Sequence, residues 1–229
     1  MNSRGACALD PIVAVESSRL SSTSEGTLAP PAWLPLAAVT IVIVISALRV
    51  IGVRAKHGVK ACGFGRHPEI QRVAERNWRL AVAATIAITV VAWLRPEWEI
   101  AAGRPIWTDT VAVKWAASVV FAASAFLIAV AQMQMGASWR VGVPSEGPGD
   151  LVAHGLFRWS RNPIFVGMIG VLAGVVLWSP HIGSAAVLAA TRTLVTIQAR
   201  IKEEALREKH GEDYERYARE VPRWFGVRR

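Results

Sequence analysis

The chain has 229 residues, of which 52% are hydrophobic, and its mean hydropathy is positive. Long stretches carry almost no charge, so the composition excludes an ordinary soluble domain and favours a membrane protein. The formal net charge is +9. In a membrane protein Lys and Arg concentrate on cytoplasmic loops, where they meet anionic lipids, so we predict no nucleic-acid binding from this charge.

The first 31 residues are rich in Ser, Ala and Pro, and no apolar run follows Arg4 or Arg19. We predict a disordered tail over residues 1–31 rather than a signal sequence. The two cysteines, Cys7 and Cys62, are far apart. They predict neither a metal site nor a disulfide.

Five apolar segments follow, at about 32–53, 79–94, 110–135, 163–178 and 182–198. The first and third are long enough to span a membrane, and the others lie near the lower limit of roughly 17–25 residues. The last two flank a short Ser-Pro-His turn and predict a helical hairpin over 163–198. The spacing of Gly170 and Gly174, with Gly167 nearby, predicts close packing against another helix of the bundle. The fold expected is therefore an all-α integral membrane protein with five transmembrane helices.

The distribution of Lys and Arg predicts the orientation. Residues 54–79 contain seven, 136–162 contain three and 199–229 contain nine, whereas the tail and the 95–109 loop contain two each. The positive-inside rule then places the N-terminus outside and the C-terminus in the cytoplasm. Residues 32–150 would hold the first three spans with the basic cytoplasmic loop 54–79.

Beyond Gln198 the last helix is predicted to continue into water and to stop at Gly211. A short amphipathic helix follows and ends at Pro222. Its apolar face contains Tyr214 and Tyr217, which must cover either the membrane surface or the cytoplasmic mouth of the bundle. Residues 151–229 thus form the candidate catalytic region, with cytoplasmic helices over 199–221.

Polar residues gather at the two far ends of the predicted hairpin. They are His154, Arg158, Arg161 and Asn162 on one arm and Glu203 and Glu204 on the other. A tight turn brings these ends together at one membrane depth. Carboxylates accept hydrogen bonds from hydroxyls or an ammonium group, and arginine binds a carboxylate, so the cluster suits a zwitterionic ligand. A solvated, salt-bridged helix face is the alternative interpretation of the two glutamates.

Arg192 lies about eleven residues into the last helix, where an unpaired charge is costly. Its spacing from Glu203 places both on one helix face, with Arg192 about three turns deeper. Arg192 therefore either faces a polar cavity and binds a ligand, or forms a structural pair.

Two stretches, LVAHGLFRWSRNPIF and RIKEEALREKHGEDYERYAREVPRW, together with the hairpin between them, resemble the isoprenylcysteine carboxyl methyltransferase family. Its phospholipid methyltransferase relatives look similar. The family pattern reads approximately LVxxGxYxxxRHPxY, then an EE pair and a GxxYxxYxxxVPR ending. Asn162 stands where the family usually has His, and Phe165 where it has Tyr. The proline that often follows the VPR element is also missing.

The resemblance implies an S-adenosylmethionine-dependent methyltransferase in a bacterial inner membrane, with its site facing the cytoplasm. A hydrophobic acceptor would enter from the bilayer: an isoprenylcysteine-like carboxylate, a lipid, or a small hydrophobic acid or thiol. The catalytic residues expected are Arg158, Arg161 and Arg192. The cofactor positions that carry over are His154, Gly155, Arg161, Asn162, Pro163, Phe165, Glu203, Glu204, Tyr214 and Tyr217.

Two other functions remain open, the first because some steroid-reductase-like membrane enzymes have a similar C-terminal hairpin. One is an NADPH-dependent membrane reductase of the steroid-reductase-like type, and the other is a non-enzymatic membrane scaffold or transporter. The sequence predicts no metal, and it does not determine the acceptor or the oligomeric state.

Overall fold

The computed structural model describes residues 29–57, 68–103, 105, 108, 110–139 and 148–226. These residues form helices and connecting turns and contain no strand, so the predicted all-α fold is confirmed for them. The predicted tail up to residue 28, residues 58–67 of the basic loop with Cys62, and the C-terminal residues 227–229 lie outside the described ranges.

Six α-helices are described: α1 Leu34–His57, α2 Pro68–Leu94, α3 Pro96–Ala101, α4 Val111–Gln134, α5 Pro163–Trp178 and α6 Ile182–Glu220. Short 3-10 turns cover Gly136–Ser138 and Gly155–Arg158. Each predicted apolar segment lies in a helix of its own, whereas α3 was not predicted. The second helix begins at Pro68 rather than near residue 79, because a polar stretch of good helix formers precedes its apolar run.

Four of these helices are long and apolar enough to cross a membrane: α1, α2 from Glu75 onward, α4 and α6. Helix α5 is apolar but has 16 residues, or about 24 Å at 1.5 Å per residue. The chain thus has the helices of an integral membrane protein. The fifth span and the orientation of the termini stay predictions.

Helices α4 and α5 pack closely because α5 presents glycines to its neighbour. A Cβ atom added at Gly170 would lie 2.3 Å from Ser124 Oγ, and one at Gly174 would lie 2.7 Å from the Phe121 ring. Phe121 and other buried side chains of α4 form the main apolar core with α5 and α1. The predicted helix-packing role of these glycines is confirmed.

The hairpin turn between α5 and α6 is held by a capping box. The His181 ring accepts hydrogen bonds from the backbone N–H groups of Gly183 and Ser184, and the Ser184 hydroxyl accepts one from the His181 N–H. Ser179, at the end of α5, donates to the carboxylate of Glu99 on α3. These contacts fix the antiparallel arms whose other ends carry the polar cluster.

Gly211 interrupts α6 with φ 51° and ψ −122°, a left-handed conformation that favours glycine. The predicted stop at Gly211 is confirmed. Beyond it, Tyr214, Tyr217, Ala218 and Val221 form a buried cluster against Leu151 and Leu206. The final helical turns therefore fold back onto the segment that precedes α5.

Candidate functional site

A cavity of about 680 Å³ lies between α1, α2, α5, α6, the end of α4 and the segment that precedes α5. One end is lined by polar side chains, Asp150, Arg161, Asn162, Lys202 and Glu203. The body is lined by apolar side chains, including Val39, Val42, Ile86, Met168, Leu172 and Leu194. Because one space contains both regions, it can hold a polar ligand beside an apolar one.

Glu203 is the centre of the polar end and is only 5% exposed. Its Oε2 lies 3.3 Å from Arg161 Nη1 and accepts from Arg223 Nη2 at 2.8 Å. Its Oε1 accepts from Asn162 Nδ2 at 3.2 Å and from Arg223 Nε at 3.0 Å. Charged partners and hydrogen bonds on both oxygens compensate the loss of hydration that a buried carboxylate suffers.

The local sequence explains why Asn162 can reach Glu203. Pro163 occupies the first turn of α5, where its missing N–H costs nothing. Asn162 is the N-cap residue, but its side chain makes no cap hydrogen bond to the α5 backbone. Its amide group instead donates to Glu203 and, at 3.4 Å, to the carbonyl of Arg223. An N-cap position is therefore used for a contact between helices.

The C-terminal segment crosses the polar end of the cavity and is anchored by backbone contacts. The N–H of Arg161 donates to the carbonyl of Pro222 at 2.9 Å, and the Ser160 hydroxyl donates to the carbonyl of Arg223 at 3.3 Å. Hydrogen bonds to Glu203 raise the pKa of the Arg223 guanidinium above its ordinary value. Arg223 accordingly stays charged at any physiological pH.

Two tyrosines from the part of α6 beyond Gly211 close the cavity. The Tyr214 hydroxyl accepts from Arg161 Nη1 at 3.3 Å, and the Tyr217 hydroxyl donates to the carbonyl of Phe157 at 2.8 Å. Their rings contact edge to face with centroids 6.2 Å apart. Both line the cavity, so the apolar face of this helix covers the mouth of the bundle rather than the membrane surface.

Arg161 retains a hydrogen-bond donor that no described residue uses. Its side chain is 9% exposed, and its Nε is buried without a partner among the described residues. Such a group is costly unless something accepts its hydrogen bond. The carboxylate of a ligand is a suitable acceptor, and the neighbouring Lys202 adds positive charge to the same wall. The Lys202 ammonium lies 5.2 Å from the centroid of the Phe165 ring.

Seven of the predicted site residues are brought together around the cavity: Arg161, Asn162, Pro163, Phe165, Glu203, Tyr214 and Tyr217. The other five lie outside the lining formed by the described residues, namely His154, Gly155, Arg158, Arg192 and Glu204. All five are exposed. Their predicted roles in binding or catalysis stay predictions, without support from their placement.

The two glutamates differ because consecutive helical residues point about 100° apart. Glu203 faces inward, so Glu204 faces outward.

Gly155 has a structural role, since its φ of 59° allows the 3-10 turn to start there. A Cβ atom at Gly155 would lie 2.4 Å from the Gln134 side chain, whose Oε1 accepts from the N–H of Leu156.

Arg192 does not share the inward face of Glu203, contrary to the spacing argument. The buried row on α6 is Thr191, Val195, Ala199 and Glu203. Each four-residue step turns about 40° beyond a full turn. The buried face of α6 therefore shifts gradually around the helix axis between Glu203 and Thr191. At the depth of Arg192 the inward position has moved to Thr191, and Arg192 is exposed.

Several residues of the site were not identified from the sequence. The first is Arg223, which contacts the central carboxylate of Glu203. The cavity is also lined by Gln132, Thr191 and Lys202. Arg223 belongs to the VPR ending, whose arginine could have been expected to pair with an acidic residue. Gln132 and Thr191 carry no sequence signal, because single polar residues in apolar helices usually bond within their own helix.

Residues 114–208 match the model of the isoprenylcysteine carboxyl methyltransferase (ICMT) family. This stretch includes Arg161, Asn162 and Glu203, and it ends before Tyr214, Tyr217 and Arg223. The match confirms the resemblance stated from the sequence motifs. Comparison with curated proteins and with solved structures found no match.

Proposed function

We propose that this member of the ICMT family transfers the methyl group of S-adenosylmethionine to a hydrophobic acceptor that reaches the cavity from the bilayer. The observation that carries the proposal is the division of one cavity into a buried ionic end and an apolar body. A methyltransferase of this kind has to hold a charged cofactor and an apolar acceptor in contact. The family match supports methyl transfer as the reaction.

The ionic end fits the charges of the cofactor. Arg161, with its buried Nε donor, is the residue we assign to the cofactor carboxylate. Trp139 and Tyr217 line the same region and offer aromatic surface, which favours a cationic sulfonium. The carboxylate of Glu203 is already bonded to Arg161, Asn162 and Arg223, so we assign it to holding these donors in place.

The apolar body fits the acceptor. It extends along α6 from the level of Glu203 to Thr191, a distance of about 18 Å at 1.5 Å per residue. Its walls come from α1, α2, α5 and α6, which are apolar helices. An acyl or isoprenoid chain of membrane origin would be desolvated there.

S-adenosylmethionine supplies, when bound, an activated methyl group that needs a nucleophile in line with it. The chain's own contribution is positioning and the exclusion of water, since a carboxylate or thiolate acceptor needs no general base. Tyr214 and Tyr217 close the cytoplasmic side, and the Arg161–Glu203 pair fixes the ionic end relative to the apolar body. An imidazole at position 162 is not required, because Asn162 serves as a hydrogen-bond donor to Glu203.

Calorimetry on the purified protein in detergent tests the cofactor assignment. We expect S-adenosylmethionine and S-adenosylhomocysteine to bind, and NADPH not to bind. Methylation of a membrane-lipid extract with methyl-labelled cofactor then identifies the acceptor class. Binding of NADPH in place of S-adenosylhomocysteine would overturn the proposal and favour a membrane reductase, whereas binding of neither would favour a scaffold.

A further inference from the structure

The apolar body of the cavity contains a polar group that the methyl-transfer assignment does not use. Gln132, near the end of α4, is 1% exposed and lines the cavity. Its Nε2 donates to the Ser46 hydroxyl of α1 at 2.9 Å. Its Oε1 is buried and accepts no hydrogen bond from the part of the chain that is described.

The position of Gln132 follows from the packing of α4 on α5. Ile128 lies against Gly167, Ser124 against Gly170 and Phe121 against Gly174. Continuing this antiparallel register by one turn brings Gln132 level with Pro163, which begins α5. Gln132 is therefore next to the ionic end, where the reacting group of an acceptor has to lie.

Thr191 shows the same property deeper in the cavity. Hydroxyls of Thr85, Thr193 and Thr196 each donate to a carbonyl one turn back, which is the ordinary way to satisfy them in a helix. The Thr191 hydroxyl is buried and has no such partner among the described residues, and Thr191 lines the cavity. Two side chains on different helices thus line one cavity and carry buried polar atoms that have no partner among the described residues.

We propose that Gln132 is a specificity residue, whose Oε1 accepts a hydrogen bond from a neutral donor on the methyl acceptor, either a hydroxyl or an amide N–H. This inference rests on the proposed function, because it takes the ligand bound by Gln132 to be the methyl acceptor. A neutral donor is favoured because the Gln132 amide carries no charge and its partner among the described residues is the neutral Ser46 hydroxyl. A purely hydrocarbon ligand would leave Oε1 unsatisfied, which is unfavourable in a buried place.

Binding of matched amphiphiles to the full chain in lipid nanodiscs tests this without cofactor. The probe is a fluorescent fatty acid, 11-(dansylamino)undecanoic acid, displaced by 1-dodecanol or by dodecyl methyl ether. A second pair is N-methyldodecanamide and N,N-dimethyldodecanamide. Each pair shares its alkyl chain and differs in the hydrogen-bond donor, so the two pairs distinguish a hydroxyl from an amide.

In the unmodified protein we expect at least one donor-bearing ligand to displace the probe at a roughly three- to tenfold lower concentration than its partner, the effect of one net hydrogen bond. Gln132→Met should abolish this ratio while retaining chain binding, because Met has a similar shape and no amide. Gln132→Leu provides a second variant with the same expectation. Thr85→Val is the matched control, since Thr85 also lines the cavity but its hydroxyl is already bonded to Ala81.

Two results would overturn the inference: equal displacement by both members of each pair in the unmodified protein, or a ratio that survives both Gln132 substitutions. Displacement requires neither cofactor nor turnover. A donor preference that depends on Gln132 in a protein that does not bind S-adenosylhomocysteine would therefore reject the proposed function and leave the Gln132 site standing.

Discussion

The guanidinium of Arg161 and the carboxylate of Glu203 form a buried ion pair, 3.3 Å apart, with 9% and 6% of the two side chains exposed. The pair joins the start of α5 to α6 at the ionic end of the cavity. Removing one partner from a buried pair costs more than the pair contributes, because the other charge is left without compensation. Glu203 is accordingly the most sensitive position of the site.

Glu203→Gln tests this directly, since it keeps the side-chain shape and removes the charge. We expect a loss of about 3 kcal/mol in the free energy of unfolding and at least about tenfold weaker S-adenosylhomocysteine binding. Glu204→Gln is the matched control, because Glu204 is the exposed neighbour and should change stability by less than about 0.5 kcal/mol. Thermal unfolding and calorimetry in detergent measure both effects. Equal effects of the two substitutions would contradict the assignment of the inward glutamate.

Arg223 holds the C-terminal segment over the ionic end through three hydrogen bonds to Glu203. Arg223→Gln should lower the free energy of unfolding by about 1–2 kcal/mol, a moderate effect because its side chain is 32% exposed. Arg216→Gln is the control, since Arg216 is 66% exposed and lies 3.6 Å from Asp213. Limited proteolysis of the C-terminus provides the second readout, with faster cleavage expected for Arg223→Gln alone. An unchanged cleavage rate would show that the segment is held by its backbone contacts.

Much of this arrangement could be predicted from the sequence, and the reasons for success and failure are physical. Hydropathy located the apolar helices because the pattern persists over many residues. Gly211 indicated where α6 is interrupted, because few residues other than glycine tolerate a positive φ. The hairpin brought Arg161, Asn162 and Glu203 together, as expected. Deeper in the cavity, the side chains of α6 that face inward depend on the angle at which α6 crosses its neighbouring helices. Residue spacing alone does not determine that crossing angle. Gln132 and Thr191 were missed because a single polar residue in an apolar helix usually bonds within its own helix.

The close approach of α4 and α5 gives a prediction about packing. A Cβ atom at Gly174 would lie within 2.7 to 3.2 Å of three ring atoms of Phe121, which is 2% exposed and has little room to move. Gly174→Ala should therefore lower the free energy of unfolding by about 1–3 kcal/mol through overpacking. Gly52→Ala is the control, because no atom lies within 4 Å of a Cβ at Gly52 in α1, and alanine there should stabilise the helix by roughly 0.5–1 kcal/mol. Opposite signs in thermal unfolding are expected, and destabilisation of similar size by both would argue against tight α4–α5 contact.

For Arg192, residue spacing and the structure lead to different predictions about ligand binding. Spacing alone placed it on the ligand face of α6, whereas the structure gives that face to Thr191 and leaves Arg192 exposed. Because Arg192 is exposed and lies outside the cavity lining formed by the described residues, the structure gives it no contact with a ligand in the cavity. Arg192→Gln should change S-adenosylhomocysteine affinity by less than about twofold, while Arg161→Gln should weaken it about tenfold or more, the usual effect of losing a hydrogen bond to a charged group. Calorimetry on both variants checks this, and a loss of affinity in Arg192→Gln that matches Arg161→Gln would require α6 to turn its Arg192 face toward the cavity when the cofactor binds.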